Sequence, residues 1–364
     1  MSSENRIVYL DQLRVLGTLG VICCHVAWLW KGSLVGSFNY DMMFLFNIMG
    51  RFGVPVFLML SGVLLLNKDY EIYSFLKKRL PRIIWPMIFW RGISLLVILF
   101  TRRQFPFFES ALQGLTYIVG IYLGSHWYVW MLIGVYLAMP VINEFVKSKG
   151  MNGIKYYLIL WFITSIICCI CLYYKIDSLF VDLSFFAGPI GFAMLGYYLH
   201  NKEFNLTPPK LMSLGLISFI TATLLKTYLF LSGLNILILK YYIFQTQTSL
   251  EIDILVLLQC IGIFIFIKYF NHEKLTGKLL KISQLLRNGL MKKLTLSISK
   301  SSYGIYLNHF ISLGIIGLLT FLNLINHSAW KWIPFLTILV LIVSWGMILI
   351  LSKIPHMNKL TGYY

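Results

Sequence analysis

Charged residues are scarce in this sequence. Asp, Glu, Lys and Arg make up 12% of its 364 residues, whereas hydrophobic residues make up 59%. A soluble domain of this length needs far more polar surface, so the composition predicts a polytopic membrane protein. The 31 basic residues outnumber the 13 acidic ones and give a formal net charge of +18. Because cytoplasmic loops of membrane proteins are rich in Lys and Arg, this charge indicates a lipid bilayer as partner and no nucleic acid.

Cysteine patterns that would indicate a disulfide or a zinc site are also lacking. The six cysteines lie in apolar runs without a His–Cys ligand spacing, so neither a disulfide nor a zinc site is predicted. No metal is expected, because His25, His126 and His309 have no local ligand spacing. The first apolar run lacks a small-residue cleavage site, and we expect an uncleaved signal anchor. Residues 1–364 are expected to form a single membrane domain with no appended soluble domain.

Apolar runs of about 20 residues, long enough to cross a bilayer as a helix, recur along the chain. They predict an all-α polytopic membrane protein, a bundle of about ten transmembrane helices. The predicted spans are 8–30, 43–66, 83–101, 125–146, 154–173, 184–200, 211–231, 252–270, 301–323 and 332–352. Residues 271–298 have the pattern of an interfacial amphipathic helix, and residues 104–123 that of a shorter outer interfacial segment.

The basic residues set the predicted orientation. With the N-terminus in the cytoplasm, the inner segments hold 21 basic residues and the outer segments hold 6. This bias predicts a multi-pass protein of the plasma membrane with both termini cytoplasmic.

Three ionisable residues in the first span are candidate functional groups. Asp11 and Arg14 are three residues apart, and His25 follows eleven residues later, which returns it to nearly the same side of the helix, about 16 Å further along. Such groups are costly within a membrane, so each one indicates a functional site. The alternative for Asp11 and Arg14 is a contact with lipid headgroups near the start of the helix.

Other polar residues have weaker signals. Arg51 lies in the outer half of the second span, where Ser61 is better explained as a packing residue than as a nucleophile. Arg79 and Arg82 are neighbours on one helix face, where they suit either the phosphates of a ligand or lipid headgroups. A further set lies near the outer interface or inside the ninth span, and each member suits a substrate cavity or ordinary packing: His126, Trp127, Tyr306 and His309.

Five segments resemble, in this order, the motifs of the acyltransferase 3 family of integral membrane acyltransferases. They are Tyr9–Arg14 with His25, Val54–Gly62, Lys78–Ile83, His126–Leu137 and Ser302–His309. The resemblance covers essentially the whole chain. It implies transfer of an acyl group, usually acetyl and sometimes succinyl, from cytoplasmic acyl-CoA to a hydroxyl of a cell-surface polysaccharide or lipid-linked glycan. Surface O-acetylation is the typical outcome.

The resemblance also implies roles for individual residues. His25 and Arg14 match the family's essential pair on the first helix, and Arg79 and Arg82 match the pair that faces the coenzyme. A neutral His25 imidazole can take the proton of the acceptor hydroxyl as general base, whereas a covalent acyl-imidazole is the less favoured route. Arg14 is expected to hold the thioester arm or, with Asp11, to set the electric field of the cavity.

Two other functions remain open on sequence alone. A polysaccharide or small-molecule transporter also needs polar groups at membrane depth, although the sequence shows no repeat with matching broken helices. A sensor or scaffold that keeps the fold without catalysis is the third possibility.

The orientation leads to a labelling prediction. A cysteine introduced at position 280 should be protected from a membrane-impermeant maleimide in intact cells, because the predicted loop around it is cytoplasmic. Cysteines at positions 110 and 240 should be labelled. Labelling at position 280 from outside would show that the orientation is inverted.

Overall fold

The computed structural model describes residues 7–102, 127–174, 188–232, 253–320 and 327–364. These residues contain helices and no strand, which confirms the predicted all-α class. Six helical segments among them are long and apolar enough to cross a membrane. The chain is thus a multi-pass membrane protein, and the number of about ten spans stays a prediction.

The helices within the described residues are numbered here in chain order. They are α1 (Val8–Ala27), α2 (Phe38–Gly50), α3 (Gly53–Leu65), α4 (Ile72–Arg102), α5 (Trp127–Tyr174), α6 (Ile190–Asn201), α7 (Pro208–Leu231), α8 (Ile254–Phe270), α9 (Gly277–Arg287), α10 (Gly289–Thr320), α11 (Ala329–Ser352) and α12 (Asn358–Thr361). A short 3₁₀ helix, Trp28–Trp30, extends α1.

The chain divides into two compact units. The first unit consists of Met1–Lys68, Val141–Ser299 and Leu322–Leu339, and the second consists of Asp69–Pro140, Lys300–Phe321 and Val340–Tyr364. Each unit is described by itself below.

Helices α1 and α2 of the first unit approach each other closely through two glycines. A Cβ atom on Gly50 would lie 2.3 Å from the carbonyl oxygen of Gly20, and one on Gly20 would lie 2.8 Å from that of Gly50. Both distances are shorter than a van der Waals contact, so only glycine fits at either position. Small residues of this kind allow helix backbones to meet inside a membrane, where apolar side chains gain nothing by leaving lipid.

The second predicted span, 43–66, is divided into α2 and α3. Helix α2 ends at Gly50, and the N–H of Arg51 donates to the carbonyl of Ile48, 3.2 Å away, as the chain leaves the helix. Pro55 has no N–H with which to continue the helical bond to the carbonyl four residues earlier, that of Arg51, and this explains the break. Arg51 therefore lies at a helix end within an apolar segment.

Two further elements differ in extent from the predicted spans. Helix α4 begins at Ile72, well before the predicted start at residue 83, so it includes Arg79 and Arg82. Helix α5 covers the described part of predicted span 125–146 and the whole of span 154–173, with non-helical backbone at Gly150, whose φ of 56° suits glycine.

The predicted amphipathic segment 271–298 forms two helices. Helix α9 ends at Arg287, and α10 begins at Gly289, whose positive φ of 57° separates the two helices. Leu280 of α9 packs against a buried apolar cluster of the first unit, whereas Leu285 is 68% exposed on another face. The basic and apolar composition of α9 fits an interfacial helix.

In the second unit, side-chain hydrogen bonds join four helices. Trp90 Nε1 of α4 donates to the carbonyl of Thr361 in α12, at 3.0 Å. The Tyr303 hydroxyl of α10 donates to the carbonyl of Ile83 in α4, at 2.8 Å. Asn308 of α10 donates to a backbone carbonyl of α11, at 3.2 Å. These bonds fix α10 between α4 and α11.

The glycine contact between α1 and α2 gives a stability prediction. Gly50→Ala should force the two helices apart and lower the free energy of unfolding by about 1–3 kcal/mol, the usual cost of overpacking. Gly346→Ala is the matched control, because that helical glycine has no atom within 4 Å of an added Cβ. Thermal unfolding in detergent tests this. Equal midpoints for the two variants would contradict the contact.

Candidate functional site

Asp11 in the first turn of α1 belongs to a three-membered polar group. The carboxylate, which is 2% exposed, accepts a hydrogen bond from Ser299 Oγ at 2.6 Å and one from Arg14 Nη1 at 3.3 Å. Arg14 Nη1 also donates to Ser299 Oγ, at 3.0 Å. Asp11 and Arg14 thus share one helix face, as their spacing predicts, and their charges form an ion pair.

His25 lies in the last turn of α1, at the other end of the helix from Asp11, and is half-buried. The spacing of eleven positions from Arg14 to His25 corresponds to a rise of about 16 Å along the helix. Arg14 and His25, which were predicted to act together, therefore lie at different depths and are not in contact. The residue before His25, Cys24, is hydrogen-bonded to Asn47 of α2.

Asn47 of α2 is hydrogen-bonded both to Cys24, the residue before His25, and to Arg51. Its Nδ2 donates to the carbonyl of Cys24 at 3.0 Å, and the thiol of Cys24 donates to the Asn47 carbonyl at 3.0 Å. Its Oδ1 accepts from Arg51 Nε at 3.3 Å and from Nη2 at 3.2 Å. This amide holds the half-buried guanidinium near His25, close enough for the two groups to interact electrostatically.

A second ion pair lies between α7 and the start of α8. The ammonium of Lys226, a residue 1% exposed, contacts the carboxylate of Asp253, which also accepts from two backbone amides in the first turn of α8 at 2.9 and 3.2 Å. Nearby, the buried amide of Gln259 donates to Thr223 Oγ1 at 2.7 Å and to the carbonyl of Ile48 at 3.1 Å. Gln259 thus contacts α2 at Ile48, about one helical turn before Arg51.

In the second unit, Tyr306 and His309 lie in an aromatic cluster. The rings of Tyr306 and Tyr128 form an edge contact with centroids 4.9 Å apart, and His309 Nδ1 lies 2.5 Å from the carbonyl of Tyr306. The buried Arg91 of α4 interacts electrostatically with Tyr306. The Nδ1 contact makes His309 a donor to its own helix, which favours its interpretation as a packed bundle histidine.

Arg79 and Arg82 lie in the early turns of α4. Arg79 is half-buried, whereas Arg82 is exposed and lies over the ring of Tyr364, 5.4 Å from its centroid. Neither takes part in an ion pair among the described residues. The pair therefore keeps its positive charge available to an anion.

The other predicted candidates show packing contacts. The Ser61 hydroxyl donates to the carbonyl of Phe57, one turn earlier, at 3.0 Å, which agrees with a packing role. Trp127 begins α5 and contacts the edge of Tyr128, at 6.4 Å between centroids. His126 lies outside the described residues. In the part of the chain that the structure describes, no three His, Cys, Asp or Glu residues come together as a metal site.

Several polar residues of these clusters were missed by sequence reasoning. Arg91 and Lys226 had a detectable signal, since each is a charged residue inside a predicted span. Asn47 and Ser299 had none, because a single amide or hydroxyl is common in apolar helices. Asp253, at the start of the predicted span 252–270, was not among the candidates.

A comparison with known families agrees with this arrangement. The chain matches, over residues 7–351, the family model described as an acyltransferase domain. No curated protein and no solved structure is significantly similar to it. The match covers nearly the whole chain and includes every segment that carries the resemblance, so this membrane protein belongs to the acyltransferase 3 family.

Proposed function

We propose that this membrane acyltransferase moves an acyl group, acetyl or succinyl, from cytoplasmic acyl-CoA to a hydroxyl of a cell-surface polysaccharide or lipid-linked glycan. The proposal places it in the plasma membrane with cytoplasmic termini. Its main support is His25, a half-buried imidazole in a membrane-spanning helix, beside polar groups of α2. Family membership favours acyl transfer over transport.

His25 acts as the general base in this proposal. The acceptor oxygen attacks the thioester carbonyl carbon as its proton passes to the imidazole. The C–S bond then breaks, and the coenzyme thiolate leaves and recovers the proton from the imidazolium. Imidazole suits this exchange because its pKa is ordinarily near neutrality.

Asp11 and Arg14 lie at the opposite end of α1 from His25. Because Arg14 is paired with Asp11 and Ser299, its guanidinium is held in one orientation. Of the two roles expected for Arg14, this pairing supports the one in which the pair sets the local electric field. The buried carboxylate also anchors α1 to the start of α10.

Arg79 and Arg82 are the proposed contacts for the phosphates of acyl-CoA. Guanidinium groups bind phosphate bidentately, and these two lie on consecutive turns of α4 without carboxylate partners among the described residues. The donor supplies the activated acyl group, and these residues bind and orient it.

His25→Ala tests the catalytic assignment. The variant should lower acyl transfer by about 10²–10⁴-fold, because the general base is lost while a small apolar residue remains in the helix. Transfer of labelled acetyl from acetyl-CoA is measured in membranes and normalised to protein level.

His126→Ala and His309→Ala are the matched controls and should cost less. Near-parental turnover in His25→Ala, together with a large loss in His309→Ala, would move the base to α10.

Arg79→Ala or Arg82→Ala should chiefly weaken donor binding. A charge-assisted hydrogen bond contributes about 1.5–3 kcal/mol, so affinity for acyl-CoA should fall roughly 10- to 150-fold. Lys147→Ala is the control, because Lys147 is a surface cation that pairs with Glu144 at 3.3 Å. Unchanged donor affinity in the arginine variants would assign them to lipid headgroups instead.

A further inference from the structure

We propose that Arg51 is a second catalytic residue, whose guanidinium binds the oxyanion that forms on the thioester carbonyl during acyl transfer. This inference rests on the acyl transfer proposed above. It assigns to Arg51 an electrophilic role that complements the proton transfer at His25.

The position of Arg51 follows from the break between α2 and α3. Arg51 is the residue after the last turn of α2, and its side chain returns along that helix to Asn47. The Asn47 amide is bonded in turn to the carbonyl of Cys24, the residue that precedes His25. One amide thus fixes the guanidinium relative to the backbone that carries the imidazole.

Among the described residues, the charge of Arg51 is hydrogen-bonded and has no carboxylate partner. None of the ion pairs found in residues 7–102, 127–174, 188–232, 253–320 and 327–364 includes Arg51, whose contacts with Asn47 are to a neutral oxygen. The nearby Lys226 is paired with Asp253. Among the described side chains Asn47, Arg51, Lys226 and Asp253, Arg51 therefore leaves one net positive charge.

The other cations of the first unit fit this role less well. Lys226 is held by a carboxylate in a buried ion pair, and moving it would leave Asp253 without its counter-charge. Arg14 is paired with Asp11 and lies about 16 Å along α1 from His25. Arg51 has five N–H donors, and its Nε and Nη2 each donate one hydrogen bond to the Asn47 oxygen. The N–H groups that do not point to Asn47 can donate to a substrate oxygen.

The chemistry needs a cation of this kind. When the acceptor oxygen bonds to the carbonyl carbon, the π electrons of the carbonyl move to the carbonyl oxygen. The proton of the acceptor hydroxyl passes to His25. Arg51 donates to that oxyanion until the carbonyl re-forms, the C–S bond breaks and the coenzyme thiolate takes the proton from His25. A preorganised donor in a site of low dielectric stabilises this charge far more than water does.

Steady-state kinetics with labelled acetyl-CoA tests this role. Arg51→Gln keeps a polar side chain and should lower the maximal rate per amount of protein by about 10²–10³-fold, with little change in KM, as expected for loss of an oxyanion donor. Arg51→Lys keeps the charge and should be at least about tenfold faster than Arg51→Gln. Arg287→Gln is the matched control, a cation of the same unit that donates to a backbone carbonyl at 3.2 Å and should act like the parent.

Each other outcome overturns the proposal. A near-parental maximal rate in Arg51→Gln excludes the role, and a loss confined to KM assigns Arg51 to a permanent anion on the substrate. Equal rates in Arg51→Lys and Arg51→Gln would show that Arg51 is only structural. If His25→Ala abolishes transfer but Arg51→Gln does not, only this inference is overturned. If membranes with the parental protein show no transfer, or transfer that His25→Ala leaves unchanged, the proposed function is overturned as well.

Discussion

A charged side chain inside a membrane-spanning segment must be compensated by a neighbour, because hydrocarbon supplies neither hydrogen bonds nor counter-charge. The first unit meets this requirement at Asp11, with Arg14 and Ser299, and at Lys226, with Asp253. The pairs therefore fix the register of α1 against α10 and of α7 against α8. Sliding either helix by one turn would leave a charge uncompensated, whereas apolar side chains would exchange one hydrocarbon neighbour for another.

Close backbone packing adds the second constraint on the site. Because Gly20 and Gly50 let α1 and α2 touch, the short side chain of Asn47 can bond to the Cys24 carbonyl of α1 and to the Arg51 guanidinium at the end of α2. A larger separation would put the Cys24 carbonyl beyond the reach of Asn47. The glycine pair is therefore a packing feature that also determines where Arg51 is held.

The sequence predicted the parts of this protein that depend on local pattern. Span length and apolar composition predicted the helical membrane class, and three-residue spacing placed Asp11 and Arg14 on one face. Ser299, a partner of Asp11, lies 288 residues away, and a single serine between two predicted segments has no local signal. The break at Arg51 was not predicted, because the apolar run 43–66 is long enough for one continuous span and Pro55 does not by itself fix where the helix ends. Pairing between distant helices depends on tertiary packing, which periodicity does not encode.

The two ends of α1 differ in how completely their charges are compensated. At the start of the helix, Arg14 has a carboxylate and a hydroxyl as partners. Near its end, Arg51 has an amide oxygen, which accepts hydrogen bonds without cancelling the charge. Stability alone would favour a neutral residue beside Asn47, since a cation without a carboxylate partner, as Arg51 is within the described part of the chain, is costly at membrane depth. Departures from local consistency are expected at functional sites, and this one lies beside the imidazole, where acyl transfer develops negative charge.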